Sequence, residues 1–286
     1  MLKGYKHLIP DVTVAHVQAT GDVQNPVYST ENLQASQREF SITVPSVGIF
    51  FVRDSREVEF SVLPEADEDW VRLYLNGQVL VALLHQRKII NFHASSFVYA
   101  GRGVMILGET GAGKTSLTVA FALKGAGLLS DDLTPVIFKD SGPYIWPLNR
   151  DIKLREDTVV QLGISRDKLK NAERGTGKQY LDVSRVNVTD YPLHTILKIE
   201  TGDTNKVEFL EPAAAEKFSL LRSEICSWEI LAGMPETEAA YLQQLLKIVE
   251  QVRFVRVIRP VSIEISEFHE AVRDYLTETE VKSTLL

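Results

Sequence analysis

Residues 104–132 read VMILGETGAGKTSLTVAFALKGAGLLSDD. The centre of this stretch, residues 108–115, satisfies the pattern G-x-x-x-x-G-K-[ST]. Glycines there let successive backbone N–H groups turn inward onto phosphate oxygens, and the helix that follows adds its positive N-terminus. From average residue usage the pattern arises by chance in a chain this long only about once in a hundred. The flanks decide the matter. An apolar strand, VMIL, precedes the loop and a helical run, KTSLTVAFALKG, follows it, which is the context a phosphate-binding P-loop requires. The candidate nucleotide-binding residues are Gly108, Glu109, Thr110, Gly111, Ala112, Gly113, Lys114, Thr115 and Ser116. Lys114 is expected to reach the β- and γ-phosphates, and the Thr115 hydroxyl to bind Mg²⁺.

One helix later, Asp131 and Asp132 follow the apolar Leu128–Leu129. Ligands of such sheets sit off the carboxyl ends of the strands. Both acids are therefore expected on the same edge as the phosphate loop. One carboxylate suits Mg²⁺, and the other suits proton acceptance from an attacking hydroxyl or water. A solvated Asp-rich turn is the plain alternative.

Working outward, NFHASSFVYA and GVMILG flank Gly101 and read as a β-hairpin. The runs FSITVP, GIFFVRD and EVEFSVLP read as short antiparallel strands. In residues 67–87, Trp70, Leu73, Leu80, Leu83 and Leu84 recur at helical spacing, with Gly77 weakening the helix. Residues 139–190 are polar loops with short apolar pieces. TILKIE and KVEFLEP flank Thr201–Asn205 as a second expected hairpin. AAAEKFSLLRSEI and ETEAAYLQQLLKIVEQV read as helices, VRFVRVIRP as a strand and ISEFHEAVRDYL as a final helix. The sum is a mixed α/β fold with antiparallel hairpins. Residues 1–75 form a small β-rich N-terminal region, and residues 76–286 the P-loop domain.

Composition sets the remaining limits. The chain has 286 residues, 44% of them hydrophobic, and a formal net charge of -7. That balance argues against broad binding to nucleic acid or an anionic membrane. The apolar runs are too short to span a bilayer. Cys226 is the single cysteine, so no internal disulfide forms, and a reducing cytoplasmic setting is expected. Cys226 itself is expected to be a small core residue. His7, His16, His85, His194 and His269 show no metal-ligand spacing.

The segment NFHASSFVYAGRGVMILGETGAGKTSLTVAFALKGAGLLSDDLTPV, residues 91–136 of a core that covers 91–138, resembles the catalytic core of the HPr serine kinase/phosphorylase family. The likeness consists of a histidine before a hairpin, the hairpin, the P-loop, one helix with a glycine-rich end, a strand and Asp-Asp. VRFVRVIRP followed by a helix is similar to the end of the smaller HPr-kinase-like proteins. The resemblance implies a fold related to phosphoenolpyruvate carboxykinase. It implies transfer of a γ-phosphate from ATP, or another donor nucleotide, with Mg²⁺, to a serine hydroxyl. The acceptor is a protein, a peptide or a small molecule. Carried over by position, Asp131 matches the catalytic acid/base and Asp132 the Mg²⁺-linked acid, an assignment open to exchange. His93 matches a histidine beside the phosphate site. The family's tendency to assemble makes a homo-oligomer an expectation.

Two departures bear on substrate. The long N-terminal domain of the bifunctional enzymes has no counterpart, and different residues stand there. Their glycine-rich signature after the acid pair is replaced by PLNRDIKLRED, residues 147–157. The chain is thus similar to short relatives, some of which modify precursor peptides. Transferred phosphoryl oxygens need positive charge. Arg150 and Lys153 are the candidates, followed by Lys178 and Arg185, with Gly175–Thr176–Gly177 as a hinge-like run. Two rival readings stand beside the kinase. One is a P-loop triphosphatase switch, in which the acids position water. The other is a non-catalytic nucleotide-binding module.

Overall fold

Alternating side chains in the first half of the chain build a meander. In the computed structural model, which describes residues 5–148, 152–170, 178–181 and 190–284, strands run Glu39–Val44, Gly48–Arg53 and Glu57–Val62. They pair antiparallel in that order, as the period-two pattern predicts. Phe40, Phe50, Val52, Val58 and Phe60 are buried. Asp54 and Ser55 both take positive φ, 53° and 58°, which is the twist a two-residue hairpin turn needs. Thr13–His16 adds parallel to Glu57–Val62, and two short strands complete a six-stranded sheet.

The chain divides into two compact units. The first comprises Met1–Asn91 with Ile225–Lys247, and the second Phe92–Glu224 with Ile248–Leu286. The boundary expected between residues 75 and 76 therefore falls inside the first unit. Gly77, at φ -109° and ψ -102°, divides the expected helix into Glu68–Asn76 and Gln78–Gln86. The earlier helix starts at Asp67, whose carboxylate caps the Asp69 N–H at 2.8 Å. It buries Val71 and Leu75, not Trp70, which is 49% exposed, so the expected apolar face is shifted by one position. The later helix is buried from Val79 through His85, as an all-round apolar helix must be.

His85 lies within that core. Its Nε2–H donates to the Cys226 carbonyl at 3.0 Å, and its Nδ1 is 2.9 Å from the Tyr241 hydroxyl. Cys226 is half-buried, so it is not the core residue expected; its backbone is what matters, clamping His85 and the Asn91 carbonyl. Burial lowers the pKa of His85 to about 4, and does the same for His7. Both are neutral in the fold and free to charge when unfolded, so stability is lost as pH falls below 6.5 toward 4. For His85 alone the loss between pH 7 and pH 5 is about 2 kcal/mol. The thermal midpoint is expected to drop by several degrees across that window. A midpoint that holds constant from pH 7 to pH 5 would contradict neutral burial.

In the second unit, three parallel strands form the centre: Arg102–Gly108, Tyr191–Gly202 and Arg253–Pro260. Ile106, Leu197, Ile199, Val255 and Val257 are buried there, in one core with Leu117 and Phe121 of the helix Lys114–Leu123 and Phe268 and Val272 of the helix Ile265–Thr284. Ser95–Tyr99 pairs antiparallel with Arg102–Gly108 through a turn at Ala100 and Gly101, both of positive φ, which is the first expected hairpin. Gly127–Ser130 joins the outer edge of Ser95–Tyr99. The second expected hairpin does not form. Arg253–Pro260 inserts between its arms, parallel to Tyr191–Gly202 and antiparallel to Glu208–Leu210. The inserted strand buries Phe254, Val255 and Val257, on both its faces, and a sheet edge leaves no such burial available.

The described residues between 139 and 190 hold more order than their polarity suggests. Ile152–Arg155, Lys178–Leu181 and Leu169–Lys170 form a three-stranded antiparallel sheet. Ile152, Leu154, Val159 and Leu181 bury themselves with Val119 of the loop's helix. No described helix is long and apolar enough to cross a membrane.

Candidate functional site

The site starts where the strand Arg102–Gly108 gives way to the helix Lys114–Leu123. Gly108 has φ +151°, and a Cβ there would lie 2.7 Å from the Ile199 carbonyl oxygen, so only glycine fits beside the neighbouring strand. Gly113 caps the helix in the left-handed region at φ +104°. Lys114 opens the helix and folds back over the loop. Its Nζ donates to the Gly108 carbonyl at 2.5 Å and to that of Glu109 at 3.3 Å. Burial pushes the Lys114 pKa down, opposed by the carboxylates of Glu224, Asp132 and Asp131. Ala112 is a core residue among Phe97 and Leu117; it enters the site through its backbone alone.

The acids arrive on the same edge. Gly127–Ser130 is antiparallel to Ser95–Tyr99, which is antiparallel to Arg102–Gly108, so the first and last run in one direction. The turn that carries the acids is pinned from below by buried hydroxyls. Ser130 Oγ lies 2.6 Å from Ser96 Oγ and 2.7 Å from Thr134 Oγ1, and the latter donates to the Ala94 carbonyl at 3.0 Å.

Adjacent in sequence, the two carboxylates have different surroundings. Asp131 is 6% exposed, and its Oδ1 accepts from Ser95 Oγ at 2.5 Å and from Thr115 Oγ1 at 2.9 Å. Asp132 takes φ +69°, which turns its side chain out. That side chain is 71% exposed, with Oδ1 3.2 Å from His93 Nε2. His93 is held in place by its own N–H, which donates to the Glu224 carbonyl at 2.8 Å. The Glu224 carboxylate in turn forms a buried ion pair with Lys198.

These groups face an open cleft of about 230 Å3. Its lining includes His93, Glu109, Thr110, Gly111, Gly113 and Lys114, and also Thr115, Ser116, Asp131, Asp132 and Lys153. Most of the expected site residues therefore line one cleft. Gly108 supplies only its carbonyl, Ala112 lies in the core, and Arg150 lies outside the described residues, as do Arg185 and the run 175–177. The backbone of Lys178 pairs with Arg155. Lys153 approaches the cleft with its Nζ 5.8 Å from the Tyr180 ring centroid.

Sequence reasoning missed four contributors. Ser95 was signalled by its position two residues after His93, the strand repeat. Lys198 was signalled as a charge inside the apolar run TILKIE, but its partner Glu224 arrives only by tertiary contact. Asp157 and Thr158 line the cleft at the start of the helix Glu156–Gln161, where Thr158 Oγ1 lies 3.0 Å from Ser116 Oγ.

A divalent cation is implied by this sequence pattern, and the donor set fits one. Thr115 Oγ1 and the Asp131 carboxylate are hard oxygen donors 2.9 Å apart. Mg²⁺ takes one or two protein oxygens and completes its shell with water and phosphate. Among the described residues, no cluster of three His, Cys, Asp or Glu side chains could hold a metal by itself.

No family model matches the chain, and no curated protein matches it significantly. Among solved structures, the Hpr(Ser) kinase/phosphatase from Coxiella burnetii is similar at a TM-score of 0.35 and 13% identity, over 68% of this chain and 94% of that one. At that level of likeness, the functional reading rests on the residues of the cleft.

Proposed function

We propose that this chain is a nucleotide- and Mg²⁺-dependent kinase that moves a γ-phosphate to the serine hydroxyl of a protein or peptide. The supporting observation is the division of the acid pair within one cleft. Asp131 bonds the Thr115 hydroxyl, and Asp132 bonds the imidazole of His93.

Backbone N–H groups of the glycine loop cradle the phosphates, and Lys114 supplies a positive charge to their oxygens. Thr115 and Asp131 would hold Mg²⁺, which when bound would supply neutralising charge to the phosphates. Asp132 and His93 stand open to the acceptor. The serine oxygen bonds to phosphorus, the bond to the departing diphosphate breaks, and the serine proton passes to the Asp132 carboxylate. His93 orients that carboxylate through its Nε2. This division reverses the one the family resemblance implies, in which Asp131 takes the proton. Lys153, from the strand Ile152–Arg155, is placed to meet the phosphoryl oxygens as they develop charge. The residues given roles in this reading all belong to the unit Phe92–Glu224 with Ile248–Leu286.

The test uses γ-labelled ATP with Mg²⁺ and a library of serine-containing peptides. Label is expected on a subset of peptides, on serine and not on the alanine-substituted controls. Release of free phosphate at a rate that no acceptor alters would make the protein a triphosphatase, with the acids positioning water.

A further inference from the structure

The glycine loop borders two clefts. Gly111, Gly113 and Ser116 line the acid-bearing cleft and also a second one of about 180 Å3. Asp157 and Thr158 stand at the junction and line both. Beyond the junction the chemistry changes. The second cleft carries Arg259, Val261, Ile263 and Phe268 in place of His93, Lys114 and the acid pair.

We infer that this second cleft binds the nucleoside half of the nucleotide, with the base on the ledge Val261–Ile263 beside the Arg259 guanidinium, and the ribose at Asp157. The inference rests on the kinase reading above and extends it to the part of the substrate that a phosphate loop does not read.

Direction is the first support. In this loop pattern the lysine and the threonine mark the β,γ end of the phosphate chain. Lys114 and Thr115 face the acids. The α-phosphate and the nucleoside must therefore leave across Ser116, toward the flank that holds the second cleft.

Surface chemistry is the second support. Bases lie on apolar side chains, aromatic faces and guanidinium planes. Val261 is 74% exposed, a large apolar side chain left uncovered beside a polar loop. Ile263 is half-buried and packs against the core cluster that contains Phe268. Arg259 has its Cζ 6.0 Å from the Phe268 ring centroid.

The guanidinium is also fixed in place. Nε donates to the Ala112 carbonyl at 2.9 Å, and Nη1 donates to the carbonyls of Pro260 at 3.0 Å and Val261 at 3.3 Å. These acceptors are neutral, so the positive charge stays available beside the loop at its α end. At the junction, Asp157 Oδ1 accepts its neighbour's N–H, that of Thr158, at 2.7 Å. A carboxylate that lines the junction accepts from ligand hydroxyls, which are donors, as those of a ribose are.

Direct binding measurements with MgATP and with inorganic tripolyphosphate separate the two clefts. The wild-type protein is expected to bind MgATP about tenfold more tightly than tripolyphosphate, the margin one stacked base supplies. Ile263→Asn and Val261→Asn are expected to remove most of that margin and leave tripolyphosphate binding unchanged. Val261 is exposed enough that its replacement leaves the fold intact, which a thermal melt verifies. Equal affinity for the two ligands in the wild type would overturn the nucleoside cleft and spare the kinase reading. So would equal losses for both ligands in the variants, or no loss at all. Failure of the wild type to bind either ligand would overturn both readings.

Discussion

Lys114→Ala is expected to lower nucleotide turnover at least a thousandfold. The ammonium sits in the loop itself, 2.5 Å from the Gly108 carbonyl, and is 8% exposed. A charge in such a dry setting acts on phosphate oxygens with little screening, and fixed donors of this kind contribute about 10²–10³ each even when neutral. Folding should survive the change. Burial already disfavours the charged lysine, so removing it relieves a desolvation cost in the ligand-free protein. A circular dichroism melt and a single-turnover assay with labelled ATP give the two halves of the result. Turnover near the wild-type rate in a folded Lys114→Ala protein would remove the loop from the mechanism.

The acid pair yields a prediction of similar size and of opposite character at its two members. Asp132→Asn is expected to lower kcat by about 10²–10⁴, the usual weight of a general base. Its Mg²⁺ requirement should not change. Asp131→Asn is expected to raise the Mg²⁺ concentration for half-maximal activity, because its Oδ1 is the atom bonded to the Thr115 hydroxyl. Ser95 then loses its charged acceptor too, so some stability goes with it. If Asp131→Asn abolishes turnover at every Mg²⁺ concentration while Asp132→Asn stays active, the proton acceptor is Asp131.

Much of this site was legible as text, because its parts lie close together along the chain. The loop, its helix and the Asp-Asp turn fall within residues 104–132, and each is announced by a local rule: glycine spacing, helical periodicity, a short apolar strand. The inequality of the two acids was not legible. It depends on Asp132 taking a left-handed backbone at φ +69° and on Ser95 reaching Asp131 from another strand. A similar limit explains the failed hairpin. TILKIE and KVEFLEP flank a good turn, and local rules pair them; what displaces that pairing is the more apolar strand Arg253–Pro260, about 50 residues later in the sequence. Gly77 was read as a weak point in one helix, and it divides that run into Glu68–Asn76 and Gln78–Gln86.

The inserted strand also sets an order of events during synthesis. Its two neighbours, Tyr191–Gly202 and Glu208–Leu210, leave the ribosome before residues 253–260, the strand each of them pairs with in the fold. Arg259 belongs to the same late arrival, and it is the residue that holds the Ala112 carbonyl. A nascent chain that has not yet released this strand has its glycine loop, its lysine and both acids, and still lacks the side chain that fixes the loop's far end. Truncation near residue 250 would remove the strand that covers an edge of each neighbour, and uncovered strand edges favour aggregation.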